Sequence, residues 1–159
     1  GYGRIVLTSS ASGVLGNFGQ TNYGAAKMGL VGFMNVLKLE GAKYGITVNT
    51  IAPIASTRMT QELLGESAGK FDPALVAPEV AYLCSEECDP TGELWSVGGG
   101  TVSRFFVGLT DGYAKDPAGG PLTVEDVAAH LKEIRDESGY LVGTSNLDEF
   151  TKLAGKLPG

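Results

Sequence analysis

The chain has 159 residues, 43% of them apolar and 19% charged, and a net charge of −6. That is an ordinary composition for a globular protein, and its acidic balance argues against a nucleic-acid-binding surface. No apolar run approaches membrane-spanning length and no signal peptide opens the chain, so no membrane partner is expected. Cys84 and Cys88 do not make a disulfide framework; they read as buried structural thiols. Glycine stands out, with 24 residues where about 7% of the chain would be usual.

In chain order, the β-branched run Arg4-Ile5-Val6-Leu7-Thr8 predicts a buried strand over 4–10. A glycine-rich loop follows, and then apolar residues at Leu30, Val31, Phe33, Met34, Leu37 and Leu39 predict a helix from about Asn22 to Lys43. Ser10 therefore ends the strand, while Tyr23 and Lys27 lie one turn apart on one face of the helix. That pattern suits proton transfer by a phenol. A free tyrosine is a poor base at neutral pH, and a cation about 5 Å away favours its phenolate by roughly 3 kcal/mol at an effective dielectric of about 20. Ser10 can donate a hydrogen bond to a substrate oxygen whose charge changes. The loop Gly13-Val14-Leu15-Gly16-Asn17-Phe18-Gly19 has G-x-x-G-x-x-G spacing, which is not that of a phosphate cradle.

Gly24, Gly29 and Gly32 weaken the helix and suggest close approach to another surface. Gly45 is a helix stop, and 46–51 is a second buried strand. Pro53 opens a loop carrying Thr57, which reads either as a ligand contact or as a cap or loop hydroxyl, and Arg58, which reads as solvated. A short polar helix over 60–69, a helix from Pro78 to about Glu87 and a third strand over 93–97 follow, with Trp95 as a packing residue. Residues 102–109 extend the sheet edge, and Lys115 to Pro121 is the clearest linker. Thr123 caps a helix reaching toward Gly139, and Ser145 caps a last one through Leu153. His130, the only histidine, reads as a surface or packing residue, and no metal-ligand cluster accompanies it.

Four stretches in order carry a resemblance. They are Ser10 with Gly13, Gly19-Gln20 leading to Tyr23 and Lys27, Asn49-Thr50-Ile51-Ala52-Pro53, and Thr91-Gly92 before Val97-Gly98-Gly99-Gly100. Together they resemble the short-chain dehydrogenase/reductase family. Thr8-Ser9-Ser10-Ala11-Ser12-Gly13, Gly16-Asn17-Phe18-Gly19-Gln20 and Ser56-Thr57-Arg58-Met59-Thr60 resemble its (3R)-hydroxyacyl-CoA dehydrogenase branch, that of type 2 peroxisomal multifunctional enzymes and bacterial relatives.

The resemblance implies an α/β fold: residues 1–110 as the C-terminal half of a doubly wound Rossmann-type domain, with about three parallel strands, and 111–159 as a helical extension. It implies Ser10, Tyr23 and Lys27 as catalytic, Tyr23, Lys27, Pro53 and Thr57 as cofactor-binding, Ser10 and Gln20 as substrate-binding, and no metal. NAD or NADP would be the cofactor, and a 3-hydroxyacyl-CoA or related secondary alcohol the substrate. The dinucleotide turn and the residue that selects NAD or NADP belong to the first half of such a domain, upstream of the residues seen here. The family usually has Pro-Gly where this chain has Pro53-Ile54, so the loop path is expected to differ. A homodimer through the long helix, or a higher oligomer, and a cytoplasmic location, or a peroxisomal one in a eukaryote, are also implied. The alternative is a catalytically incomplete fragment acting as a dimerisation or interaction module, with the edge of the first strand unpaired.

Overall fold

In the computed structural model, which describes residues 1–157, one four-stranded sheet runs in the order β1-β2-β3-β4. β1 (Gly3–Thr8), β2 (Ile46–Pro53) and β3 (Leu94–Gly98) are parallel, and β4 (Thr101–Phe105) returns antiparallel to β3. The chain divides into two compact units, Gly1–Phe105, which holds the sheet, and a second beginning at Phe106.

β2 is the centre of the sheet, with Val48, Asn49, Thr50, Ile51 and Ala52 all buried. Its alternation sends side chains into two cores. Val48 and Ala52 join Leu94 of β3 and Val31 and Met34 of α2 (Thr21–Gly41) on one face. Ile51 joins Val97, Cys88 and Leu83 of α4 (Ala77–Cys84) on the other. Helices thus cover both faces, as a parallel sheet requires. α2 stops through a 3₁₀ turn at Ala42–Tyr44 and a left-handed Gly45, φ 68°. α4 ends at Cys84, three residues before the expected Glu87, because Ser85 is extended and its hydroxyl donates to the Tyr82 carbonyl at 2.8 Å.

Several expectations need correction. The sheet has four strands rather than about three: β3 and β4 are joined by Gly99 and Gly100, both at positive φ, which suits a two-residue hairpin turn. The polar helix over 60–69 is one short turn, α3 (Gln61–Leu64), followed by 3₁₀ structure at Gly65–Lys70. Only Cys88 of the two thiols is buried; Cys84 is exposed. In the second unit, the helix expected from Thr123 toward Gly139 is interrupted. α5 (Val124–Ala129) and α6 (Leu131–Ile134) are separated at His130, whose φ of −103° and ψ of 16° leave the helical basin. The His130 ring stacks on Tyr113, centroids 3.6 Å apart, which fixes it in that position. α7 (Asn146–Ala154) starts on a Ser145 and Asp148 capping box.

Candidate active site

Ser10 follows the carboxyl end of β1 and caps α1 (Ala11–Val14), a single turn absent from the sequence reading, which had a loop there. Its backbone is extended, and its Oγ accepts from the Ser12 amide at 3.2 Å, which leaves the hydroxyl hydrogen available to donate. The chain then turns through Gly16 and Gly19, at φ 88° and 78°, conformations that glycine adopts without strain. α2 opens at Thr21 with Tyr23 in its first turn, 42% exposed. α1 lies against that turn: a Cβ on Gly24 would stand 3.2 Å from the Ser12 carbonyl oxygen.

Lys27 reaches back to β1. Its ammonium donates to the Thr8 carbonyl at 2.9 Å and lies 5.7 Å from the centroid of the Tyr23 ring. An ammonium carries three donors, and one is committed to Thr8. Gln20, the residue before α2, is half-buried; its Oε1 is inaccessible and has no hydrogen-bond partner among the described residues. A buried acceptor without a donor is costly, so this atom is a local strain on the entry to α2.

The neighbouring loop leaves the carboxyl end of β2. Pro53 pairs with Val97, and the Ile54 amide donates to the Val97 carbonyl at 2.8 Å, prolonging the ladder by a residue. No non-glycine residue has positive φ among the described residues, so Ile54 follows an ordinary backbone path. Gly98 accommodates it, since a Cβ there would stand 2.6 Å from the Ile54 carbonyl oxygen. The Thr57 hydroxyl is held within its loop, 3.1 Å from Thr60 Oγ1 and accepting from the Met59 amide at 3.3 Å. Thr60, not singled out in the sequence, organises the turn: its Oγ1 donates to the Ala55 carbonyl at 2.6 Å and accepts from the Thr57 amide at 2.8 Å. The Thr-x-x-Thr spacing was the available signal. Arg58 forms no ion pair among the described residues, and no group of metal-ligating residues occurs among them.

Comparison with known proteins bears on these two loops. The family model described as short chain dehydrogenase matches residues 1–67, the segment holding Ser10, Tyr23, Lys27 and Thr57. A short-chain type dehydrogenase/reductase of Mycobacterium tuberculosis is 55% identical over 139 residues, covering 87% of this chain and 48% of that protein. Peroxisomal multifunctional enzyme type 2 of mouse is 45% identical over 138 residues, covering 86% of this chain and 19% of the enzyme. The structure of full-length peroxisomal multifunctional enzyme type 2 from Drosophila melanogaster superposes with a TM-score of 0.84 at 34% identity, over 97% of this chain and 28% of that one. The chain spans about half the length of the mycobacterial relative and less of the multifunctional enzymes. The match to the family model and these relatives, with a mostly parallel sheet between helices, make the chain a member of the short-chain dehydrogenase/reductase family.

Proposed function

We propose that this chain is the catalytic part of an NAD- or NADP-dependent dehydrogenase that interconverts a secondary alcohol and a ketone, with a 3-hydroxyacyl-CoA as the substrate class. The observation that carries this reading is the docking of α1 on the first turn of α2, which sets the elements bearing Ser10, Tyr23 and Lys27 side by side at the end of β1. A nicotinamide, when bound, supplies the hydride acceptor for oxidation and the donor for reduction. Tyr23 takes the alcohol proton as phenolate and returns it as phenol in the reverse direction. Ser10 donates to the substrate oxygen. Lys27 holds its ammonium beside the Tyr23 ring, and its two uncommitted donors fit ribose hydroxyls. Gln20 borders the substrate beside Ser10, and Pro53 and Thr57 border the cofactor. Four exposed apolar side chains, Leu15, Phe18, Met59 and Leu63, stand on the segments that follow β1 and β2, which suits an acyl chain.

In this reading residues 1–110 form the dehydrogenase half-domain and 111–159 an extension, in a homodimer of the cytoplasm or, in a eukaryote, the peroxisome. The outward side of α2 favours the dimer. Phe33, Val36 and Leu39 are more than half exposed, and a Cβ on Gly29 or Gly32 would meet nothing within 4 Å in this chain. The same face and the open edge of β1 favour the second reading, a non-catalytic interaction module. Calorimetric titration with NAD(H) and NADP(H), together with turnover of Tyr23→Phe in the full-length protein, separates the two. Micromolar cofactor binding and loss of turnover in the variant support the dehydrogenase. Near-normal turnover without the phenol removes Tyr23 from the reaction.

A further inference from the structure

We infer that Ser9 is a positioning residue for the reaction, acting through the backbone of Lys27 to set where Ser10 stands relative to Tyr23 and Lys27. The inference rests on the dehydrogenase reading above. Ser9 is 2% exposed, and its hydroxyl donates to the Lys27 carbonyl at 2.8 Å across eighteen residues of sequence. Its amide donates to the Ile51 carbonyl at 2.7 Å, so the same residue is pinned to the centre of the sheet. Lys27 answers in the other direction, its ammonium donating to Thr8. The end of β1 and the second turn of α2 are thus stitched twice, once by a hydroxyl on a carbonyl and once by an ammonium on a carbonyl.

The loop between α1 and α2 cannot do this work. Leu15 is 74% exposed and Phe18 fully so, and the two glycines at positive φ supply turns without packing. What holds the two elements in register is close approach beside the Ser9 bond. A Cβ on Gly13 would stand 2.9 Å from the Met28 amide nitrogen and 3.0 Å from Lys27 Cβ, so α1 is seated against the backbone that carries the ammonium. Removing the Ser9 hydroxyl leaves α1 and α2 apposed but frees their relative slide. Reacting groups displaced by about 1 Å can lose about a hundredfold in rate.

The test is steady-state reduction of acetoacetyl-CoA by NADH or NADPH in the full-length protein, with kcat expressed per folded molecule as measured by circular dichroism. Ser9→Ala is expected to lower kcat by about ten- to a hundredfold while KM stays within about threefold. Ser9→Thr, which keeps the hydroxyl, is expected to return kcat to within about threefold of the parent. Should Ser9→Ala fail to fold, Gly13→Ala forces the same two elements apart and is expected to show the same split. A parent-like kcat in Ser9→Ala with only a lower melting temperature, or equal losses in Ser9→Ala and Ser9→Thr, overturns the inference. Tyr23→Phe, assayed alongside, keeps the two levels apart. If it retains turnover the dehydrogenase reading itself falls, whereas if it is inactive and Ser9→Ala is unaffected only the role of Ser9 falls.

Discussion

The Lys27 ammonium donates to the carbonyl of Thr8, the last residue of β1, at 2.9 Å. It therefore joins helix to strand while holding a positive charge 5.7 Å from the Tyr23 ring. The first prediction follows from those two duties. Lys27→Met, which keeps the stem and removes the charge, is expected to lower kcat in the full-length protein by two or more orders of magnitude, the range of acid–base catalysis, while unfolding free energy drops by about 1 kcal/mol for the lost hydrogen bond. Turnover within about threefold of the parent would leave Lys27 with the structural duty alone.

Leu83 on α4 is completely buried and packs against Ile51, Val97 and Cys88 beneath the sheet. Its side chain is the main apolar contribution of α4 to that core. Leu83→Ala is expected to lower the free energy of unfolding by about 2–5 kcal/mol, read from urea denaturation of parent and variant. A loss below about 1 kcal/mol would mean that the second face is not closely packed.

Asp126 receives hydrogen bonds from Lys115, from the Thr123 amide and from the Thr123 hydroxyl. Chief among them the Lys115 ammonium, they lower its carboxyl from an ordinary 3.8 to about 2. A carboxyl lowered on folding stabilises the fold fully above its unfolded value, and that contribution disappears as pH falls through the folded one. The start of α5 is therefore expected to loosen between about pH 4 and pH 2, seen as faster amide exchange at Val127 and His130. Asp126→Asn should exchange at the fast rate at neutral pH, with no further acid step from this site.

The two thiols differ in kind. Cys84 is exposed, whereas Cys88 is buried, and burial raises its pKa above the ordinary value so that it carries less thiolate at any given pH. A disulfide exchange reagent at mildly alkaline pH is expected to modify Cys84 promptly and Cys88 only after denaturation. Equal rates at the two positions would contradict the burial of the Cys88 side chain.

Strands β1, β2 and β3 were legible because each is a short apolar or β-branched run bounded by glycine, proline or polar residues. β4 was not delimited, since Thr101–Phe105 lies at a sheet edge, mostly exposed, and alternation has no buried side to mark. α1 escaped notice for a related reason: four residues show no helical period, and only the Ser10 cap declares the turn. The order and spacing of Ser10, Tyr23 and Lys27 could be read directly, because they sit on two recognisable elements. The Ser9 bond to Lys27 and the unpaired Gln20 oxygen could not, because each depends on how α1 settles against α2, which no local pattern encodes.

The exposed apolar side chains beyond the carboxyl ends of β1 and β2, which the proposed function sets against a substrate, are not the ones that keep the protein folded. Phe18, Met59 and Leu63 bury almost nothing, while Val48, Leu83 and Val97 are almost wholly enclosed. Exchanging the first group costs little stability, so its chemistry is free to drift, whereas change in the second is penalised whatever the site binds. A scaffold partitioned in this way can diversify at its rim for a long time without first acquiring stabilising substitutions in its interior.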